Sequence, residues 1–281
     1  MKIIQAKDIT EKVAKLCIQI NTRLTDDIDR SLTAAQQKEA YPLAKNILSV
    51  INENRELAAN NRRPICQDTG MVIAFVQCGQ DVHITGGSLE KAIQNGVKQA
   101  YCQGYMRKSI VSDPLIRDEN TDDNTPAVIH YQIIEGDSLK ISIMAKGFGS
   151  ENTSALKMLK PSDGMDGAND FIVETIQRGA PNACAPIIVG VGIGGDFEKA
   201  AMMSKQALFI PLDQNSEKPH LRSMEKNIMR TINETGIGPM GMGGLTTMLG
   251  IHILDYPTHI AGLPVAVNIC CYVDRRGTVI L

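Results

Sequence analysis

The sequence predicts a mixed α/β (α+β) fold in which helices and strands alternate along most of the chain. Residues 8 to 22 place apolar side chains at helical spacing. MVIAFVQCG (71–79) and APIIVGVG (185–192) are short apolar runs rich in strand-forming residues. No internal repeat or low-complexity linker separates these segments, and the length of 281 residues allows one large domain or two small ones.

The first half of the sequence predicts three helices, one strand and a long loop. The helices span residues 8–22, 34–60 and 88–105, and the strand is MVIAFVQCG. Pro64 ends the second helical region, because the residue before a proline favours an extended backbone. RKSIVSDPLIRDENTDDNTPA (107–127) has few apolar residues and many turn formers. A loop of this length in a compact domain is usually functional or disordered.

The second half begins with a predicted β-hairpin. AVIHYQII and SLKISIMA alternate in polarity and are joined by the short turn EGD. Three helices follow, with the strand APIIVGVG between the first two. Their predicted bounds are residues 166–179, 196–209 and 217–234. GIHILDY and LPVAVNICCYV, near the C-terminus, predict two more strands.

Composition and charge exclude several classes of protein. The formal net charge of −2 gives no electrostatic footprint for nucleic acid. The first twenty residues carry charges throughout, unlike a secretion signal. No segment reaches the ~18 apolar residues of a membrane span. We therefore expect a cytoplasmic protein that binds neither nucleic acid nor membrane, whose seven cysteines form no disulfide framework.

Three positions with cysteine fall where a predicted element meets a turn. Cys66 opens CQDTG, Cys184 lies in GAPNACAP, and the pair Cys270–Cys271 ends an apolar strand. Three thiolates are too few for an ordinary electron-transfer cluster, but they suit a cluster with one iron left open. The simpler interpretation is that they are unrelated buried thiols, and spacing alone favours it.

A Lewis-acid cluster would need a proton-transfer group and a cation for substrate carboxylates nearby. Asp68 and Arg107 have the required side chains. Each also has an ordinary structural explanation. Asp68 suits an Asx-turn before Thr-Gly, and Arg107 suits a solvated cation at a helix end.

Five segments carry a resemblance that covers the chain from about residue 10 to its end. They are RRPICQDTG, AKGFGSENTSALKML, ACAPIIVGVGIGGDFEKAA, TGIGPMGMGG and THIAGLPVAVNICCYVDRRG. Together they resemble the iron–sulfur hydro-lyase family of class I fumarases and L-tartrate dehydratases. The length is similar to that of the α subunit in two-chain members. The resemblance therefore implies that residues 1–281 form one catalytic-type domain, completed by a separate β subunit, with α–α contact as well.

The resemblance implies a 4Fe–4S cluster held by three cysteines. Cys66 and Cys184 match the first two ligands. The third is Cys271 rather than Cys270, because the family places three residues between this ligand and the first arginine of the Arg275–Arg276 pair. The doubled cysteine leaves this assignment slightly open. One iron of such a cluster binds the substrate.

The resemblance also implies roles for five other residues. Gln67 and Asp68 face a dicarboxylate substrate, with Asp68 in proton transfer. Arg107 pairs a substrate carboxylate, and the backbone of Gly149 approaches the substrate. Phe148 departs from the glycine pattern of the family here, which implies either a reshaped pocket wall or a core phenylalanine. His259 matches a histidine that reaches a neighbouring subunit's active site.

The implied reaction is fumarate hydration to L-malate, because AKGFGSEN resembles the fumarase branch more than the tartrate branch. L-tartrate dehydration is the alternative. Two other classes stay open. Gly190, Gly192 and Gly195 satisfy the G-x-G-x-x-G pattern of an NAD-binding oxidoreductase, with Asp213 near the ribose-binding position. A cluster-carrying scaffold without catalysis is the other.

Overall fold

The computed structural model describes all 281 residues and confirms the α/β class. The helices, numbered in chain order, are α1 (Ala6–Thr22), α2 (Asp26–Lys38), α3 (Pro42–Asn61), α4 (Leu89–Gln103), α5 (Phe148–Glu151), α6 (Gly164–Gly179), α7 (Phe197–Ala207) and α8 (Pro219–Asn233). The strands are β1 (Lys2–Gln5), β2 (Met71–Gly79), β3 (Val82–Thr85), β4 (Val128–Ile134), β5 (Leu139–Lys146), β6 (Ala155–Leu159), β7 (Ile187–Gly194), β8 (Met248–Tyr256), β9 (Leu263–Cys270) and β10 (Arg276–Ile280).

The chain divides into two compact units. The first unit comprises Met1–Thr25, Asn54–Phe148 and Arg275–Leu281. Its main sheet has the strand order β10-β5-β2-β4, and β1 pairs with β3 in a separate two-stranded sheet. Helices α1 and α4 contribute the apolar side chains that cover this sheet, because both have one apolar face at helical spacing.

The second unit comprises Asp26–Glu53 and Gly149–Asp274. Its sheet has the order β6-β9-β7-β8, in which β7 is parallel to β8 and antiparallel to β9. Strand β7 is buried on both faces, as a near-continuous apolar run predicts. Its valines pack into one core with α6 and α8, while its glycines lie against α7.

The predicted helix 34–60 is two helices in the structure. Helix α2 ends at Lys38, and α3 begins at Pro42. A proline suits the first turn of a helix, because its missing N–H needs no partner there. Between the helices, the buried Glu39 carboxylate accepts the backbone N–H groups of Ala40 and Tyr41 at 3.0 and 3.1 Å.

The predicted β-hairpin is wrong, although both of its strands exist. Strands β4 and β5 lie on opposite sides of β2, parallel and antiparallel to it. The EGD turn hydrogen-bonds with the end of β2, where Asp81 donates its backbone N–H to the Gly136 carbonyl at 3.0 Å. Strand β2 has five consecutive buried residues and lies between β5 and β4.

None of the helices α1–α8 combines the length and the apolar composition that crossing a bilayer requires.

Candidate active site

The segment CQDTG forms a tight turn that leads into β2. Asp68 Oδ1 accepts the Gly70 N–H at 3.0 Å, which is the predicted Asx-turn. Its other oxygen, Oδ2, accepts the Phe148 N–H at 2.9 Å. Gly70 has a φ of +78°, and a Cβ there would lie 2.8 Å from the backbone of Lys146. Only glycine meets both conditions without strain.

Two buried side chains fasten this turn. The Tyr101 hydroxyl lies 2.7 Å from the Thr69 carbonyl oxygen and 2.9 Å from that of Gly70. Burial raises the pKa of Tyr101, so its hydroxyl stays a neutral donor. Arg275 donates Nε to the Ala145 carbonyl at 2.9 Å and Nη1 to the Asp68 carbonyl. The turn is therefore held from α4 and from the segment before β10.

A cavity of about 320 Å³ opens beside the turn and brings three predicted site residues together. Cys66, Gln67 and Arg107 line it, with Pro64, Ile65, Thr69, Tyr105 and Met106. Cys66 is half-buried, and Gln67 and Arg107 are exposed. The Arg107 guanidinium forms no ion pair within the chain. A cation without an internal partner, beside a thiol and an amide, can accept a carboxylate ligand.

Asp68 does not line this cavity, although it is next to Gln67 in sequence. A Cβ on Gly147 would lie 3.2 Å from Asp68 Oδ2 and 3.2 Å from Arg275 Nη2. Gly147 therefore lets the buried guanidinium and the carboxylate approach the backbone closely. Phe148 is 46% exposed, so it does not point into the core.

In the second unit, Cys184 lies on a sharp turn just before β7. Its φ is +52°, a left-handed conformation that is uncommon outside glycine, and its side chain is exposed. The next residue, Ala185, accepts the Met240 N–H at 2.8 Å. Met240 belongs to GIGPMGMGG, so this glycine-rich loop supports the Cys184 turn.

Cys271 follows the last residue of β9, at the end of the sheet where β7 begins. The register pairs Cys270 with Ile188, which is four residues after Cys184. Cys184 and Cys271 therefore lie at the same end of the sheet, before the start of β7 and after the end of β9. Cys270 is only 2% exposed, with its Sγ 3.8 Å from Asp274 Oδ1, whereas Cys271 is half-buried.

His259 and Gly149 also belong to the second unit. His259 is exposed in the turn between β8 and β9, and its Nδ1 accepts the Ala261 N–H at 3.2 Å. It lines a largely apolar cavity of about 430 Å³. Gly149 is exposed, and a Cβ there would meet no atom within 4 Å. This open space leaves the Gly149 backbone accessible to a ligand.

The three predicted cluster ligands are divided between the units, with Cys66 in the first and Cys184 and Cys271 in the second. All seven cysteines are thiols rather than disulfides. No group of three His, Cys, Asp or Glu side chains is placed to hold a single metal ion.

The glycines of the dinucleotide-type motif serve close packing of helix on strand. A Cβ on Gly190 would lie 2.0 Å from the Ser204 carbonyl oxygen, and one on Gly192 would lie 2.2 Å from that of Ala200. The N-terminus of α7 is capped by Asp196, whose side chain accepts the Lys199 N–H at 2.8 Å. Asp213, the candidate ribose ligand, pairs instead with Arg30 at 2.8 Å.

Sequence reasoning missed several residues that shape the first-unit site. Tyr101 has the spacing of an ordinary core residue on a helix, and Asn124 has the context of a loop residue. Arg275 served only as a sequence landmark. Periodicity and turn chemistry describe local structure, whereas these side chains donate hydrogen bonds to backbone carbonyls that are distant in sequence.

The chain is similar to known proteins over nearly its whole length. Residues 10–280 match the fumarate hydratase (Fumerase) family. The putative L(+)-tartrate dehydratase subunit alpha of Methanocaldococcus jannaschii is 37% identical over 275 residues, which cover 96% of each chain. The L(+)-tartrate dehydratase subunit alpha of Escherichia coli K12 is 32% identical over 275 residues, or 97% of this chain and 90% of the relative. The chain therefore belongs to the fumarate hydratase (Fumerase) family.

Proposed function

We propose that this chain is the catalytic α subunit of a hydro-lyase that acts on a small hydroxy-dicarboxylate together with a β subunit. The observation that carries the proposal is the cavity lined by Cys66, Gln67 and Arg107, in a chain of this family. Relatives that match nearly its full length are named as alpha subunits, which supports a β partner.

The comparisons favour L(+)-tartrate over fumarate as the substrate of this proposed enzyme. Relatives at 32–37% identity carry the tartrate dehydratase name, whereas the fumarate name comes from the family as a whole. This order reverses the preference drawn from AKGFGSEN. Loss of water from L-tartrate gives an enol that tautomerises to oxaloacetate. Interconversion of fumarate and L-malate is the second candidate.

A 4Fe–4S cluster is the proposed cofactor, with Cys66, Cys184 and Cys271 as its ligands. The donor set fits, because each is a thiol with some exposure at the end of a strand or turn. Cys184 and Cys271 lie at the same end of the second-unit sheet, and the burial of Cys270 disfavours it as a cluster ligand. When bound, the cluster would supply a Lewis acid for the departing hydroxyl group.

The protein side chains would bind the substrate and transfer a proton. Arg107 would hold one carboxylate in a bidentate pair, and Gln67 would donate a hydrogen bond beside it. Asp68 would exchange a proton at the carbon next to a carboxylate. The Gly149 backbone would contact the substrate, and His259 would act in the site of a neighbouring copy.

The proposal is tested by assaying the chain anaerobically with and without its β subunit. We expect oxaloacetate to form from L-tartrate only when both chains are present. Malate dehydration exceeding tartrate dehydration under the same conditions would select the second candidate. Iron bound without turnover of either substrate would indicate a scaffold, and tight binding of NAD would indicate an oxidoreductase.

Cysteine variants test the proposed ligands. Cys66→Ser, Cys184→Ser and Cys271→Ser should each lower the iron content and abolish activity. Cys102→Ser is the matched control, because Cys102 is exposed and lies outside the proposed site. If Cys271→Ser kept its full iron content and Cys270→Ser lost iron, the third ligand would be assigned to Cys270 instead.

A further inference from the structure

Asn124 is a fully buried polar residue in the loop between α4 and β4. Its side chain has 0% exposure, and its backbone φ is +61°. Oδ1 accepts the Ser109 N–H at 2.8 Å, and Nδ2 donates to the Gly70 carbonyl at 3.1 Å. The asparagine amide supplies the acceptor and the donor from two separate atoms of one short side chain.

These two bonds join the segments that carry the proposed substrate-binding residues. Gly70 closes the turn that begins at Cys66, and Ser109 is two residues after Arg107. A second link lies beside the first, because Thr69 Oγ1 donates to the Arg107 carbonyl at 3.1 Å. The backbone around Arg107 is therefore fixed to the turn at two neighbouring points.

The Arg107 side chain depends on these links, since it is exposed and forms no ion pair within the chain. The segment between α4 and β4 has no helix and only one isolated β-bridge, between Val111 and Asn120. Regular structure thus contributes little to the placement of this backbone. A bidentate carboxylate pair, in contrast, needs a well-placed guanidinium.

We propose that Asn124 is a positioning residue that sets the Arg107 guanidinium against the Cys66–Gly70 turn for binding a substrate carboxylate. The inference rests on the proposed function, because it assigns that carboxylate to Arg107. Asn124 does not line the cavity with Cys66 and Gln67, and it acts through the backbone of Arg107.

Two substitutions distinguish the contribution of the Asn124 side-chain amide from that of its left-handed backbone conformation. Asn124→Gly keeps the left-handed φ without strain and removes both hydrogen bonds. Asn124→Asp keeps the acceptor for Ser109 but places a carboxylate oxygen against the Gly70 carbonyl. Asp122→Gly is the matched control, since Asp122 has a φ of +61° in the same loop and an exposed side chain.

Steady-state kinetics of the α–β complex with L-tartrate, or with malate if malate proves to be the substrate, test the inference. We expect Asn124→Gly to raise KM about tenfold, the loss of ~1.4 kcal/mol of binding, with a smaller change in kcat and unchanged iron content. In an Arg107→Ala background, Asn124→Gly should raise KM no further, because the two residues act through one interaction. An equal increase in both backgrounds, or a loss of kcat alone, would overturn the proposal.

Amide hydrogen exchange gives a readout independent of turnover. Asn124→Gly should accelerate exchange at the Ser109 amide, whereas Asp122→Gly should leave it protected. Unchanged protection of Ser109 in Asn124→Gly overturns the inference even if the complex proves inactive on both substrates. Inactivity of the wild-type complex alone would instead contradict the proposed function.

Discussion

Tyr101→Phe is the substitution that most directly tests how the CQDTG turn is held. It removes the hydroxyl hydrogen bonds to the Thr69 and Gly70 carbonyls and keeps the buried ring. The Gly70 carbonyl retains the Asn124 amide at 3.1 Å, but the Thr69 carbonyl loses its donor. Thr69 is only 2% exposed, so water does not easily replace the hydroxyl.

The expected cost follows from these contacts. A lost hydrogen bond costs about 0.5–1.5 kcal/mol net, and a buried carbonyl left without a donor costs about 1–3 kcal/mol. We therefore expect Tyr101→Phe to lower the free energy of unfolding by about 1–3 kcal/mol. With a urea dependence of about 3 kcal/mol/M, the unfolding midpoint should fall by roughly 0.3–1 M.

Urea unfolding followed by circular dichroism measures this shift. Tyr131→Phe is the control, because Tyr131 is 46% exposed and its substitution should change stability by less than about 0.5 kcal/mol. If Tyr101→Phe and Tyr131→Phe had the same midpoint as the unsubstituted chain, the Tyr101 hydroxyl would not be holding the turn.

Three further predictions concern glycine, pH and air. Gly149→Ala should change the free energy of unfolding by less than about 0.5 kcal/mol, because the added Cβ meets no atom within 4 Å. The same substitution should raise KM, and an unchanged KM would exclude substrate contact at Gly149. Burial raises the pKa of Cys17 from 9.0 to about 12, so stability should fall as pH rises through this interval, where the unfolded thiol ionises first. Urea midpoints should fall less steeply there in Cys17→Ala, and equal slopes would contradict this assignment. Air should abolish activity, with ferrous iron and a reductant restoring it; activity that survives prolonged aeration would argue against an exposed iron.

The sequence predicted most elements but not their pairing. Periodicity located α1, α4 and β2 to within a few residues, because each has a local pattern. It could not place β2 between β4 and β5, since a short turn between alternating strands normally signals a hairpin. Strands β1, β3, β6 and β10 were missed because all four are short and only partly buried.

Prediction of the candidate site was limited in a similar way. The motif resemblance selected Cys66, Gln67 and Arg107, and the structure places these three around one cavity. It gave no indication of Asn124 or Tyr101, whose hydrogen bonds reach 54 and 32 residues along the chain. Side chains that satisfy distant backbone groups leave no periodic signal.

The two interpretations of Asp68 are compatible, and the geometry explains why. Each carboxylate oxygen accepts one backbone N–H, from Gly70 and from Phe148, which fixes the plane of the group. An ionised carboxylate offers about four lone-pair sites, so two backbone bonds leave capacity for a proton. A proton-transfer group benefits from such fixation, because orientation is established before the substrate arrives. The Asx-turn therefore provides the orientation that the proposed acid–base role of Asp68 requires.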